Sequence, residues 1–429
     1  MIAILTFEAR FVLKKYNPRI IAITGSVGKT STKDAVYTVL KHHYSVRKSE
    51  KSFNGEIGLP LSILGLTNAW DNPFKWLKNI LDGLLLCLPL PHSKKFPEWL
   101  VLEVGADRPG DIEKVARWLT PDIVIITRFG TVPVHVEFFK SREEVIQEKC
   151  YLVRALKDNG LLLLNNDDAD VRALRDMRRD CRVATWSIGY ESDFQASNFE
   201  ISYTSENGQL KPNGIMFKVN HAGNSVPIHL SDTLGRQQVY PILAALAVGN
   251  ALGLNMVSMS ESIREHKAPA GRMRAIDGIK DTTIIDDSYN ASPVAVTAAL
   301  ETLKEIKSSG RKVAILGDML ELGKYSAKEH LKTGKEALDC SDILITVGIR
   351  ARDIAKGALE NGMDEKNIFQ FDTSTEAAKP VQELIQEGDI ILVKGSQGPR
   401  LEKIIEEIMA HPELKEKLLV RQEVEWIKR

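Results

Sequence analysis

The chain has 429 residues, more than one ordinary core accommodates, so two or three domains are expected. Its 57 acidic and 57 basic residues cancel, which excludes a global field drawing it to nucleic acid or to an anionic membrane. Cys87, Cys150, Cys181 and Cys340 are scattered without a C-x-x-C pair, the pattern of reduced thiols in a cytosolic protein and no sign of zinc.

From the N-terminus, Met1 to Tyr16 has no long apolar core and no cleavage signal, so secretion is not expected. No stretch reaches the roughly 18 uninterrupted apolar residues of a membrane span, and a cytoplasmic location is expected. The first expected strand, Ile20–Thr24, runs into Gly25-Ser26-Val27-Gly28-Lys29-Thr30-Ser31. Ala35, Val36, Val39 and Leu40 then repeat with a helical period. A strand, a glycine loop and a helix N-terminus together aim backbone N–H groups at a phosphate. Lys29 can reach the β- and γ-phosphates, and the Thr30 hydroxyl can ligate Mg²⁺. Ile23 stands where the usual first glycine would be, which leaves a shortened loop. These residues predict nucleoside triphosphate binding.

Asp71 to Pro91 reads as a helix with Pro73 in its first turn. Phe74, Leu77, Ile80, Leu81, Leu84, Leu85 and Leu88 share one face, and Lys75, Lys78, Asn79 and Asp82 lie opposite. Such a helix either meets a membrane surface or a protein partner, or packs on its own domain. The last is preferred here, since one-sided helices usually face a core.

Strands follow at Leu100–Val104, Ile123–Thr127 and Leu161–Leu164. Glu103 sits at the carboxyl end of the first of these, where a Mg²⁺ ligand is expected. From about Phe194 to Leu230 the pattern alternates (Ile201, Tyr203; Ile215, Phe217, Val219), which predicts a small antiparallel patch on the first domain. The segment Lys267-Ala268-Pro269-Ala270-Gly271-Arg272 divides the chain into 1–267 and 268–429. Beyond it, strands at Thr283–Asp286, Lys312–Leu316, Ile343–Val347 and Ile390–Val393 each end in a turn with Gly, Asp or Ser. The predicted class is α/β with largely parallel sheets.

Five segments then occur in a telling order. They are Ser52-Phe53-Asn54-Gly55-Glu56-Ile57-Gly58-Leu59-Pro60-Leu61, Leu102-Glu103-Val104-Gly105-Ala106, Asp286-Asp287-Ser288-Tyr289-Asn290-Ala291-Ser292-Pro293, Gly317-Asp318-Met319-Leu320-Glu321-Leu322-Gly323 and Lys394-Gly395-Ser396. Over roughly residues 20 to 400 the chain resembles the Mur ligases, closest to the MurF branch. The resemblance implies a P-loop central ATPase domain followed by a Rossmann-like C-terminal domain. It also implies ATP- and Mg²⁺-dependent, ADP-forming amide synthesis in peptidoglycan precursor assembly. The partners would be ATP, a carboxylate-bearing peptide precursor and a D-alanyl-D-alanine-like amine, joined through an acyl phosphate.

The resemblance also assigns residues. Gly25, Ser26, Val27, Gly28, Lys29, Thr30, Ser31, Gln238, Arg272 and Asp287 would bind ATP. Thr30, Glu103, His135 and Lys149 would hold metal, Lys149 as a carbamate made with CO₂. Asn54, Tyr289, Asn290, Lys394 and Ser396 would face the substrates, and Lys29, Glu103, His135, Lys149 and Arg272 would carry the chemistry. On their own chemistry, Asn54 is also an ordinary turn residue, Lys149 an ordinary helix lysine, Arg272 a boundary arginine and Lys394 a loop cation. Two departures stand out. Gly235-Arg236-Gln237-Gln238 replaces the family's Gly-Arg-His-Asn, which alters the amide near the adenine. The branch usually carries a uridine-nucleotide domain in front, whereas 23 residues precede Thr24 here, so weak uridine binding is expected. Another ligase of the superfamily, folylpolyglutamate-synthase-like, is the enzyme alternative, and a non-catalytic nucleotide-binding scaffold is the other.

Overall fold

The computed structural model describes residues 1–50, 54–88, 96–130, 138–206 and 209–427. The chain folds as two compact units, one of residues 1–197, 218–227 and 239–266, the other of residues 198–217, 228–238 and 267–429.

The first unit is built on β1 (Arg19–Thr24), β2 (Val46–Lys48), β3 (Trp99–Glu103), β4 (Ile123–Ile126), β5 (Leu161–Asn165) and β6 (Arg182–Ser187). A meander of β7 (Phe194–Glu206), β8 (Gln209–His221) and β9 (Asn224–Ser231) extends the sheet, whose order is β2-β3-β1-β4-β5-β6-β7-β8-β9. Every pairing from β2 to the start of β7 is parallel, and Ile23 of β1 lies opposite both Glu103 and Ile125. The central strands are continuous apolar runs because helices cover both faces of a parallel sheet. Their cores, such as Ile21–Ile23, Leu100–Leu102 and Ile123–Ile126, are buried. Helix Val239–Ala251 is apolar all round, is buried over most of its length and packs on helix Lys29–Leu40.

The expected small patch near 194–230 is instead this long meander, with β7 and β8 of 13 residues each. Thirteen extended residues reach roughly 43 Å, so the strands' far parts join the second unit, not the first domain as expected. There the Lys211 ammonium meets Asp281 at 2.5 Å, and the Lys307 N–H donates to the Tyr203 hydroxyl at 2.9 Å.

Two helices of the first unit were misread or missed. Helix Ile2–Tyr16 was not expected; it packs on helices Gly58–Leu64 and Pro73–Cys87 and buries Leu5, Glu8, Ala9 and Val12. Helix Pro73–Cys87 starts at Asn72, whose side chain accepts from the Lys75 N–H at 3.1 Å. Its buried positions are Asn79, bonded to the Thr67 carbonyl at 2.8 Å, and Gly83. Phe74, Leu77, Leu81, Leu84, Leu85 and Leu88 are exposed. The helix does pack on its own domain, as preferred, through Asn79, Gly83 and the half-buried Trp76, Ile80 and Leu86, but most of the expected apolar stripe faces outward instead of toward the core. Pro91 lies outside the described residues.

Gly83 allows that close approach, since a Cβ there would sit 2.1 Å from Glu8 Oε2. Both Glu8 carboxyl oxygens are buried without a hydrogen-bond partner, and burial pushes the group's pKa up to about 7. Cys87 is the titratable group that senses its charge. Because the native pKa lies above the unfolded value, folding favours the protonated form. Stability from this group is full below about pH 4.5 and declines as pH rises to about 7. Hydrogen-exchange protection of helix Ile2–Tyr16 should fall over that window in the wild type and stay level in Glu8→Gln. Parallel profiles for the two proteins would assign the pH response elsewhere.

The second unit holds β10 (Arg274–Asp277), β11 (Thr283–Asp287), β12 (Lys312–Gly317), β13 (Ile343–Val347), β14 (Ile368–Phe371) and β15 (Ile390–Lys394), in the order β10-β11-β15-β12-β13-β14. Only β10 runs antiparallel. Ile284, Ile315, Ile345, Ile391 and Leu401 lie in its core. Central β15 pairs with β11 so that Lys394 lies opposite Asp287 at the carboxyl ends, where open α/β sheets bind ligands. Among the described residues no helix is long and apolar enough to cross a membrane.

Candidate functional site

In the first unit the chain leaves β1 through Gly25, whose φ of 146° favours glycine. A Cβ at that position would lie 2.0 Å from Thr127 Oγ1. The loop is tied to the end of β4: the Ser26 N–H donates to the Arg128 carbonyl at 2.7 Å and the Thr127 hydroxyl to the Val27 carbonyl at 2.7 Å. Gly28 then opens helix Lys29–Leu40 without a side-chain cap, leaving its first N–H groups for an anion. The Lys29 ammonium folds back over the loop to the Gly25 carbonyl at 3.0 Å. Gly25→Ala should displace the loop and weaken ADP binding at least tenfold by calorimetry, about 1.4 kcal/mol. Unchanged affinity would deny the loop its phosphate role.

Glu103, at the end of β3, is the hub. Its Oε2 accepts from the Thr30 hydroxyl at 2.9 Å and its Oε1 from the Asn54 amide at 3.2 Å. Its own N–H donates to Ser49 Oγ at 3.2 Å. The buried Lys33 ammonium lies 3.9 Å from Oε2 and balances the carboxylate's charge. Lys33 escaped the sequence reading, although it lies one helical turn after Lys29. The Thr24 hydroxyl, at the end of β1, is buried without a partner. Thr30 and Glu103 thus present hard oxygen donors at one locus, a donor set that fits Mg²⁺.

Lys149 is buried on helix Arg142–Arg154. That helix is anchored by the neighbouring Glu148, whose carboxylate accepts from the N–H groups of Gly110, Ile112 and Glu113 at 2.9, 2.7 and 3.1 Å. It caps the start of helix Asp111–Ala116, a role the sequence did not reveal. Burial first, and then the Lys29 charge, pull the Lys149 pKa down to about 7 against the opposing pull of Glu148 and Asp107. The reading of Lys149 as a solvent lysine is overturned. His135 lies outside the described residues. Among the described residues no group of three or more His, Cys, Asp or Glu side chains forms a metal cluster.

The second unit gathers the remaining expected residues. Asp286 is buried, accepts from the Gly271 N–H at 3.0 Å and from the Ser288 hydroxyl at 2.6 Å, and is still pushed up to about 6 by burial. Asp287 pairs with the Lys394 ammonium at 2.5 Å, and that ammonium also donates to the Asn290 carbonyl at 3.1 Å. Lys394 is therefore a buried, paired cation at a strand end, not a loop cation. The Arg272 guanidinium stacks 4.2 Å from the Tyr289 ring centroid, and the Gln238 amide donates to the Arg272 carbonyl at 3.1 Å. Ser396 Oγ accepts from the Leu320 N–H at 2.9 Å and so holds the Gly317-to-Gly323 loop. Arg421 was missed, because it lies beyond the segment that carries the resemblance. It donates to the carbonyls of Ser288 at 3.3 Å and Tyr289 at 2.5 Å and pairs with Glu402 at 3.0 Å, which fixes the backbone under Tyr289.

The family model described as the Mur ligase middle domain matches residues 23–73 and 85–249. The one described as Mur ligase, glutamate ligase domain, matches residues 271–397. The UDP-N-acetylmuramoyl-tripeptide–D-alanyl-D-alanine ligase of Bacillus subtilis is 29% identical over 405 residues, covering 94% of this chain and 79% of that protein. The structure of the MurF ligase from Thermotoga maritima in complex with ADP has a TM-score of 0.75 at 26% identity, covering 97% of this chain and 84% of that one. A MurF structure from Acinetobacter baumannii gives a TM-score of 0.75 at 24% identity, with coverages of 94% and 79%, a likeness of fold.

Proposed function

The chain belongs to the Mur ligase family, and we propose that it is an ATP-dependent, ADP-forming amide ligase of the MurF type. It joins D-alanyl-D-alanine, or a similar amine, to a free carboxylate of a cell-wall precursor peptide. The observation that carries this reading is the hydrogen-bonded set Thr30–Glu103–Asn54 beside the Lys29 loop. That set gathers at the carboxyl ends of β1 and β3, which supports reading the loop as a phosphate grip, Thr30 and Glu103 as hard oxygen donors and Asn54 as an amide for the acceptor substrate. The names of the Bacillus subtilis and Thermotoga maritima relatives favour this branch over a folylpolyglutamate-synthase-like ligase.

In this reading Gly25 to Ser31 and the Lys29 ammonium hold the β- and γ-phosphates of ATP. Thr30, Glu103, His135 and Lys149 would hold Mg²⁺, which would offset the repulsion between the substrate carboxylate and the triphosphate. The uncharged Lys149 amine takes up CO₂ and releases a proton, turning a cation into a carbamate whose oxygens suit a hard metal. A substrate carboxylate oxygen attacks the γ-phosphorus and ADP leaves. The amine nitrogen then attacks the acyl carbon, loses a proton and expels phosphate, which carries away the former carboxylate oxygen. Arg272 supplies positive charge to the phosphoryl transfer, Asp287 contacts ATP, and Gln238 reads the adenine. Tyr289, Asn290, Lys394 and Ser396 flank the incoming amine.

Oxygen tracing tests the reaction. With the precursor carboxylate labelled in ¹⁸O, one labelled oxygen should appear in inorganic phosphate for each amide formed. Unlabelled phosphate would exclude the acyl phosphate.

A further inference from the structure

We propose that the exposed apolar faces of helices Ile2–Tyr16 and Pro73–Cys87 form one surface that docks on an anionic lipid bilayer, lying in its interface without spanning it. Ile4, Phe7 and Phe11 make an exposed stripe on the first helix, and Phe74 to Leu88 supply the stripe on the second. Phe7 is 64% exposed and Phe74 82%, an unusual cost for aromatic side chains facing water alone. The two helices are fastened together. The Lys15 ammonium donates to the Leu86 carbonyl at 3.0 Å, the Tyr16 hydroxyl to the same carbonyl at 3.3 Å, and Gly83 lies under Glu8. Their inward faces are already committed, through Leu5, Ala9 and Val12 on one helix and Asn79 and Gly83 on the other. Among the described residues the outward stripes stay exposed.

Charge selects the occupant. The two helices carry Arg10, Lys14, Lys15, Lys75 and Lys78, all exposed, in a chain whose total charges cancel. Their carboxylates are Glu8, which is buried, and Asp82, which is tied to Lys78 at 2.6 Å. Apolar stripes on helices that carry more lysine and arginine than free carboxylate suit acidic headgroups over acyl chains. The same cations would repel across a contact between two copies of this surface. Each helix has 15 residues, about 22 Å, short of the roughly 30 Å hydrocarbon core, so the helices rest at the interface. The match to the family's middle-domain model begins at residue 23 and skips 74–84, so both helices lie largely outside the shared catalytic framework. Their surface needs an explanation of its own, and this one does not depend on the ligase reading.

The test is co-sedimentation of the full chain with vesicles of phosphatidylcholine alone and of phosphatidylcholine with phosphatidylglycerol. The protein should sediment with the anionic vesicles, weakly with the neutral ones, and less as salt rises. The variant Phe7→Gln/Phe74→Gln/Leu81→Gln, altered only at exposed positions, should lose at least about tenfold in anionic-vesicle binding. It should keep the wild-type unfolding temperature and ADP affinity. Equal sedimentation of variant and wild type, or none with anionic vesicles, overturns the proposal. A wild-type dimer in solution that the same substitutions dissociate would also overturn it, by assigning the surface to a second copy.

Discussion

Lys29→Ala should lower kcat/KM for amide formation by about a thousandfold or more, and Glu103→Gln by a comparable factor. Removing one preorganised charge or donor from a transferring group typically costs a hundredfold to a thousandfold, and the Lys29 ammonium serves both ground-state grip and transition-state charge. It sits half-buried, folded onto the Gly25 carbonyl at 3.0 Å within the loop itself. Glu103→Gln is the informative change on the carboxylate. Alanine there would remove the hydrogen bonds to Thr30 and Asn54 and leave a cavity in a buried site, which confuses loss of function with loss of folding. The amide keeps the shape and can still meet Thr30 and Asn54, yet it forfeits the negative charge that a divalent cation needs. Both variants should hold the wild-type unfolding temperature within a few degrees. Near-wild-type ligation by Lys29→Ala would remove the phosphate loop from the account.

Lys149→Ala should be nearly inactive and partly rescued by added acetate or propionate, whose carboxylate can occupy the space of the lost carbamate. The structure gives the reason for expecting a carbamate. An unperturbed lysine, with a pKa near 10.4, is uncharged in fewer than about one molecule in a thousand at pH 7. With its pKa pulled down to about 7, about half of the Lys149 amines are free to attack CO₂ at that pH. The sign is set by burial, which penalises the ammonium, and by the Lys29 charge, which repels it. Activity should therefore fall as pH drops below about 7, and again in CO₂-depleted buffer at constant pH. Full activity of Lys149→Ala, with no response to carboxylate, would reduce Lys149 to packing.

The central strands were legible because parallel strands buried on both faces read as continuous apolar runs. Ile20–Thr24, Ile123–Ile126 and Ile343–Val347 needed little correction at their ends. β2, β10 and β14 were not legible, being edge strands of three or four residues with mixed polarity. Helix Ile2–Tyr16 was overlooked because its apolar residues lie on two sides, one packed and one exposed, so no single stripe marks it. The same ambiguity hid that helix Pro73–Cys87 meets the core through Trp76, Ile80 and Leu86 while most of its stripe faces outward. Periodicity identifies an apolar face, but it does not say whether the domain or something else covers that face. At the site, Lys29 and Thr30 could be singled out from motif spacing, because a phosphate loop is local in sequence, and Glu103 from its place at the carboxyl end of an apolar strand. Lys33, Glu148 and Arg421 were not, since their roles arise from partners 19 to 133 positions away or from the turn of a helix.

The measurement that tests the account most directly is phosphate release from ATP by the purified chain, with the precursor tripeptide and D-alanyl-D-alanine added singly and together. The account predicts little release with either alone, and release matched one-for-one by ADP and by the new amide when both are present. ATP hydrolysis that is indifferent to the amine, or an absence of amide product with both substrates present, would contradict it.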